Sequence, residues 1–336
     1  METNQQGIKN KISTVRGMRQ VLTVTVGLVI LCIVFGILNP TFLSSRNVAN
    51  LLRQIAPILL IGIGQAYVCI TANIDLSIGS VVGMSCMLAA TMMTHGVNQW
   101  VAVLITVGAC LLIGVANGIL VALFGLPPFI ATLGTMTIGR GIAQIVNGNY
   151  NTDSIGEKAT AFRDFFYSGK VMGFYNAIWV ALVLWIIFNF YLSKTKSGRH
   201  IYAIGSNIDA ARLSGVNVFV TTTKAYMVSS FCACVAGFIT LASTGTGTMD
   251  AGTSYEMYAV AAAVIGGVST LGGQGILSGV IVGAGIWGVL QNGLQFAGAP
   301  VAIRNIVIGV IVVVSVLLDV VVRSGKLKFR KNKSTT

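Results

Sequence analysis

About ten stretches of this chain are each apolar over roughly the ~20 residues that a helix needs to cross bilayer hydrocarbon. They cover residues 21–38, 48–71, 76–94, 101–124, 127–147, 176–193, 220–243, 257–268, 276–296 and 302–322, and leave room only for short connections. Only 9% of the residues are charged, against about a quarter in soluble domains. That is too little polar surface to face water, so lipid must be the solvent. In lipid every backbone polar group has to be satisfied internally, which favours helices. The expected fold is an all-α integral membrane protein of about ten transmembrane helices, with a single membrane domain over 21–322 and no sizeable soluble part.

A net charge of +13 would point to nucleic acid in a soluble protein. Here the charge is sorted by segment. Lys9, Lys11, Arg16 and Arg19 lie in an N-terminal tail over 1–20. Lys194, Lys196, Arg199, Arg212 and Lys224 lie in or beside a central loop over 194–219. Arg323, Lys326, Lys328, Arg330, Lys331 and Lys333 form a C-terminal tail over 323–336. In the long loop 148–175, Lys158, Arg163 and Lys170 are balanced by Asp153, Glu157 and Asp164. The positive-inside rule places the three basic regions in the cytoplasm and the balanced loop outside. Crossing once per apolar stretch from a cytoplasmic N-terminus gives the same sides, and puts both termini in the cytoplasm. No nucleic-acid partner is expected; membrane lipid is. The first stretch is too long for a signal peptide's apolar core and reads as a retained anchor.

Forty glycines suit helices that associate by close packing. Gly114 with Gly118, and Gly279 with Gly283, have small-xxx-small spacing. Cys32, Cys69, Cys86, Cys110, Cys232 and Cys234 all lie in apolar stretches and read as small hydrophobes, not as disulfides or metal ligands. His95 and His200 are far apart, which argues against a paired ligand set.

Two spans are interrupted. Residues 73–80 (NIDLSIGS) and 266–275 (GGVSTLGGQG) place polar groups and glycine inside apolar sequence. Irregular backbone at membrane depth survives only against protein or a water-filled cavity. Paired interruptions in two halves point to transporters with repeated halves. The central loop would separate those halves.

Asp75 is the one acid between Glu2 and Asp153. An acid at a helix centre costs roughly 2.5–3.5 kcal/mol on an insertion scale. Two readings stand. Asp75 lines a polar route together with Asn73 and Ser77 or clamps the broken turn, or else Asp75 and Ser77 cap the following helix in an Asx turn. Gln54, Asn117, Gln291 and Asn292 are further candidates for a polar route, with Arg53 beside Gln54; the ordinary reading of intramembrane amides is helix-to-helix hydrogen bonding.

The polar segment 198–218 must leave the bilayer. Residues 208–213 form a short helix in this reading, with Asn207 or Ser206 as N-cap, and Gly205 and Gly215 permit tight turns on either side. Ala210, Ala211 and Leu213 give it a small, partly apolar face, Arg212 a charged anchor, with Arg199 and Asp209 nearby. A helix lying on lipid headgroups would be longer and bulkier, so docking to another protein is favoured.

No G-x-x-x-x-G-K-[ST], H-E-x-x-H or G-x-S-x-G motif occurs. The chain therefore lacks that kind of ATP cradle, and any energy supply must come from a partner. Carboxylates are too sparse in the apolar stretches for a proton relay. A lining without formal charge suits a neutral, hydroxyl-rich solute and not a cation.

Five segments carry a resemblance: 73–80 (NIDLSIGS), 128–134 (PFIATLG) with Arg140-Gly141, 198–207 (GRHIYAIGSN), 212–216 (RLSGV) and 266–273 (GGVSTLGG). With them, the chain resembles the permease subunits of ribose-type ABC monosaccharide importers, from about residue 20 to 322. The resemblance implies a non-enzymatic transport subunit of the bacterial cytoplasmic membrane. An ABC ATPase subunit, carrying ATP and Mg, would dock on 198–218. An extracytoplasmic sugar-binding protein would deliver the solute, and a second permease copy, identical or paralogous, would complete the pore. The chain itself would bind no cofactor. Phe129 enters the route candidates through the 128–134 motif. Relatives of this kind also carry autoinducer-2 or nucleosides, and an ion-coupled secondary transporter is the alternative from another class.

Overall fold

A computed structural model of the protein describes residues 21–323, so the basic tails expected at the two termini lie outside the described residues apart from Arg323. The chain is helical almost throughout. It opens with α1 (Val21–Leu38), a single 3-10 turn (Pro40–Leu43), α2 (Ser45–Ile70), α3 (Ile78–Thr94), α4 (Gln99–Gly118) and α5 (Pro128–Ile145). The second half of the order is α6 (Thr160–Arg163), α7 (Asn176–Lys194), α8 (Lys196–Ser206), α9 (Ile208–Leu213), α10 (Val218–Thr244), α11 (Tyr255–Ile265), α12 (Leu277–Phe296) and α13 (Val301–Arg323). Six helices among the described residues are long and apolar enough to cross a membrane: α1, α2, α4 with its continuation to Leu123, α7, α10 and α12. Each of the ten apolar stretches coincides with a helix, while α3, α5, α11 and α13 fall outside those six.

Helices α2 and α10 form the centre. Of their most apolar windows 78% is buried, against 6% for α1 and 17% for α7. A helix that is apolar all round belongs in a core, or in lipid, and burial separates the two cases. The close approaches depend on missing side chains. Gly114 and Gly118 of α4 lie against Tyr226, Met227 and Thr223 of α10; Gly279 and Gly283 of α12 lie against Gly266 and Ala262 at the end of α11. Both small-xxx-small pairs are thus helix contacts. The six cysteines are free, five of them buried.

One end of the bundle gathers Ile70, α8, α9 and the 266–275 turn: the Gly273 N–H donates to the Ile70 carbonyl at 2.9 Å, and the Tyr202 hydroxyl donates to the Gly275 carbonyl at 2.8 Å. Thr270 donates through its N–H and its hydroxyl to Asp319 of α13, at 3.1 and 3.0 Å. The opposite end gathers the segments expected outside. Asn39 donates to the Phe296 carbonyl at 3.0 Å, and the N–H groups of Thr152 and Ile155 donate to the carbonyls of Gly247 and Gly245, each at 2.9 Å.

The long loop 148–175 carries more structure than its polarity suggests. It holds α6 and a two-stranded antiparallel hairpin, β1 (Lys170–Val171) with β2 (Phe174–Tyr175). Phe162 and Phe166 are buried there against Phe238 of α10, with ring centroids 5.9 and 5.2 Å apart. Helix α8 is likewise an element that the glycine and basic residues of 196–206 disguise.

The interruptions also differ in detail. The 73–80 break is real: α2 stops at Ile70, and α3 starts only at Ile78. The 266–275 break is a connection between α11 and α12, and irregular backbone at 245–254 precedes α11 as well. Helix α11 is short because it is cut at both ends.

Candidate functional site

Two polar constructions stand out, one inside the bundle and one at the α9 end. The inner one grows from the break after α2. Asp75 has no exposed surface. Its Oδ1 accepts from the Ser77 N–H at 2.9 Å and from the Ser77 hydroxyl at 2.5 Å. Its Oδ2 accepts from the Ser229 hydroxyl near the middle of α10 at 2.7 Å. The first contact is an Asx turn that starts α3, the local alternative to helix that Asp side chains offer. The last ties that turn to the central helix.

Ser77 extends the network. Its hydroxyl accepts from Asn117 Nδ2 of α4 at 2.9 Å, and Asn117 Oδ1 accepts from the Thr135 hydroxyl of α5 at 2.6 Å. Asp75, Ser77, Asn117 and Ser229 are all fully enclosed. A buried carboxylate is tolerated when its lone pairs are satisfied, and hydrogen bonds to charged groups are worth about 1.5–3 kcal/mol each. The geometry makes Asp75 a clamp that joins the α3 start to α10, and through Ser77 to α4 and α5. Sequence reasoning found Asp75, Ser77 and Asn117 but neither Ser229 nor Thr135, because a serine or threonine in an apolar helix gives no local sign of a distant partner.

The second construction is the exposed segment of α8 and α9. Thr195 caps α8, accepting from the Gly198 N–H at 3.2 Å. Ile201 and Ile204 turn inward, and Arg199 points to solvent. Asn207 caps α9, its Oδ1 accepting from the Ala210 N–H at 2.9 Å. The Ser206 hydroxyl donates instead to the Tyr202 carbonyl at 2.9 Å. Gly215 ends the unit with φ of +81°, the left-handed turn that glycine takes without steric cost.

Two expectations for this segment need correction. Gly205 makes no turn, because it lies within α8. Its role is proximity: a Cβ there would overlap the Ile70 carbonyl oxygen and lie 2.5 Å from the Gly273 nitrogen. The small residues of α9 also do not share a face. Ala211 packs inward with Ile204 and Val216, while Ala210 and Leu213 are exposed, Leu213 at 90%. Six residues of helix cannot hold one apolar stripe when its ends must turn back into the bundle. Arg212 is exposed and lies 3.8 Å from Asp209, a surface pair of small energetic worth.

A cavity of about 500 Å³ opens beside this segment, lined among others by Asn73, Ser206, Asn207, Arg212 and Thr222. It brings one route candidate, Asn73, next to the exposed helix. The remaining candidates lie elsewhere. Asn292 is buried, accepts from Asn47 Nδ2 at 2.9 Å and donates to Gln54 Oε1 at 3.4 Å, so the three amides link α2 and α12 near the far end. Gln291 is half-buried, Gln54 exposed, and Phe129 is exposed at the start of α5. Arg53 stacks on Tyr175 and Tyr167, with its guanidinium 3.8 and 4.9 Å from the ring centroids, and braces the hairpin.

The model of the family described as branched-chain amino acid transport system / permease component matches residues 47–316. That match spans both interruptions and the whole α8–α9 segment. The chain is 35% identical to the ribose import permease protein RbsC of Bacillus subtilis (strain 168), covering 95% of this chain and 98% of that one. It is 34% identical to the D-allose transport system permease protein AlsC of Escherichia coli (strain K12), over 87% and 89% of the two chains. With the galactose/methyl galactoside import permease protein MglC of Haemophilus influenzae it shares 33% identity, over 90% and 94%. No solved structure matches. A match of this extent shows that the chain belongs to the branched-chain amino acid transport system / permease component family.

Proposed function

We propose that the chain is the membrane-spanning subunit of an ABC importer of the bacterial cytoplasmic membrane, and that it takes up a monosaccharide. The observation that carries the sugar assignment is the near full-length likeness to permeases named for ribose, allose and galactose. The proposed partners are an ABC ATPase subunit, which binds ATP and Mg, and an extracytoplasmic binding protein that delivers the sugar. A second permease, identical or paralogous, completes the passage. The chain performs no bond chemistry.

The proposed arrangement has about ten crossings with cytoplasmic termini, one membrane domain over 21–322, and two related halves separated by 194–219. The gathering of 70–73, α8, α9 and 266–275 at one end, and of 148–175 and 244–250 at the other, supports these sides. The ATPase docks on the α8–α9 segment through Arg199, Asp209, Ala210, Arg212 and Leu213. Asn207 and Gly215 shape the docking helix, Ala211 seats it, and Gly205 couples it to the bundle. The exposure of Arg212 supports docking, since arginine is enriched among the residues that carry protein–protein binding energy. Asn73, Gln54, Gln291 and Phe129 border the route, and Asp75, Ser77, Asn117 and Asn292 hold its walls.

The test is reconstitution in liposomes with the proposed ATPase subunit and binding protein. Uptake of ribose, allose and galactose is then followed with and without ATP. Uptake of one of them should depend on ATP and on the binding protein. Uptake by the chain alone, collapsing with an uncoupler at constant ATP, would establish ion coupling instead.

A further inference from the structure

Arg140 carries a resemblance motif, but the sequence assigns it no task. It lies on α5, half-buried, and its Nη1 donates to two carbonyls of the irregular segment before α11, Ala251 at 2.8 Å and Met249 at 3.1 Å. The path between them crosses α3 at Gly83. A Cβ on Gly83 would lie 2.9 Å from Arg140 Nη1 and 2.6 Å from the Ala251 carbonyl oxygen. The notch through which Arg140 reaches its acceptors therefore exists because residue 83 has no side chain.

The segment so held is unusual. Ser254, at the start of α11, has φ of 65°, a left-handed conformation that L side chains disfavour. Such conformations persist when surrounding structure over-determines them, and they cluster where a segment has two states. The same segment meets the other interruption directly: a Cβ on Gly79 would lie 2.5 Å from the Gly252 carbonyl oxygen, and one on Gly252 would overlap the Gly79 carbonyl oxygen. The irregular segment thus touches the first turn of α3, just past the other interruption, backbone to backbone.

A continuous physical path then runs from the exposed helix. Gly205 abuts Ile70 and Gly273; Gly273 ends the turn that follows α11; α11 begins at the segment that Arg140 holds. A movement of α8–α9 displaces the α11 unit, and at its far end that displacement meets Arg140 on the Met249 and Ala251 carbonyls, beside the hydrogen bonds of Thr152 and Asn151 to Gly247 and Met249. We propose that Arg140 is a positioning residue for transport: it latches residues 246–253 into the notch at Gly83, and its release accompanies opening of the passage. This rests on the importer reading for its functional half, while the latch itself does not.

The experiment has two arms on the same protein. Amide hydrogen exchange of the full chain in lipid nanodiscs reads the latch without any partner. Arg140→Gln is expected to raise exchange of the 246–253 amides roughly tenfold, about 1.4 kcal/mol of opening free energy, with α2 and α10 unchanged. Gly83→Ala, which keeps the arginine but fills its notch, is expected to do the same and carries the test if Arg140→Gln does not fold. Gly134→Ala, where a Cβ meets nothing within 4 Å, serves as the control. The second arm measures sugar uptake per ATP hydrolysed in the full complex. Arg140→Gln is expected to lower that ratio and the maximal rate with little change in KM, with partial recovery in Arg140→Lys. Unchanged exchange in the folded variants overturns the latch. Raised exchange with an unchanged uptake ratio overturns its role in transport. A wild-type complex that moves no sugar would sink the importer reading and leave the exchange result standing.

Discussion

Gly205 and Ile70 pack so closely that a Cβ on the glycine would overlap the Ile70 carbonyl oxygen. The exposed segment is thereby pressed onto the end of the central helix α2. Backbone carbonyls cannot rotate out of the way as a side-chain tip can, so Gly205→Ala must shift α8 itself. Overpacking of this kind costs about 1–3 kcal/mol. The expected outcome is a lower melting temperature in detergent and a loss of binding-protein-stimulated ATP hydrolysis in the assembled complex. A variant with wild-type stimulation would show that α8 is free to move against α2.

Asp75 accepts three hydrogen bonds with no exposed surface, so replacing it leaves buried donors without a partner. Asp75→Ala is expected to destabilise by about 1–3 kcal/mol, the cost of leaving a buried neutral donor unsatisfied. Asp75→Asn is milder, because its carbonyl can keep the Ser77 contacts while the Ser229 hydroxyl turns to accept. Ser229→Ala removes one donor and falls between wild type and Asp75→Ala. Thermal melts of the three variants should give that order.

Asn207→Ala removes the α9 cap, a change worth about 1 kcal/mol. On so short a helix the effect is local. Global melting should stay near wild type while amide exchange at residues 208–213 accelerates, and Asn207→Asp should restore protection. Protection unaffected by the alanine would mean that the seat of Ala211, and not the cap, holds α9.

Arg212 and Leu213 reach solvent, and the Arg212–Asp209 pair is too exposed to matter for stability. Arg212→Glu and Leu213→Asp are expected to leave folding intact and to abolish ATP-coupled uptake. Co-purification with the ATPase subunit is the direct readout. Normal docking and uptake in both variants would move the coupling site elsewhere.

Burial pushes the Tyr202 phenol from its ordinary value near 10 up to about 12, which favours the neutral form that donates to Gly275. A folded-state value above the unfolded one means that this contribution is complete below about pH 10 and fades between about pH 10 and 12. Tyr202→Phe should cost about 1 kcal/mol at pH 7. A pH–stability profile of the two proteins should converge as pH rises through that window.

Much of this was legible from local chemistry. The Asx turn at Asp75 and Ser77, the Asn207 cap and the Gly215 turn each involve partners within a few residues, so spacing alone reveals them. Hydropathy located the helices because lipid imposes a minimum length of apolar sequence. Gly205 was misread because glycine answers two needs, a turn or a close approach, and only the neighbouring helix tells which. Ser229 and Arg140 were missed as partners for the same reason: their contacts cross 154 and more than 100 positions of sequence. Helix α8 hid behind its polarity, since its inward face rests on little more than Ile201 and Ile204.

Whether the chain is an ATP-driven passage is decided by solute uptake into liposomes holding the permease, its ATPase and its binding protein, measured with wild type and Arg212→Glu, with and without ATP. Sugar should accumulate only with wild type, ATP and all companions present, and Arg212→Glu should be folded but silent. Accumulation by the permease without nucleotide or companion chains would rule out an ATP-driven importer.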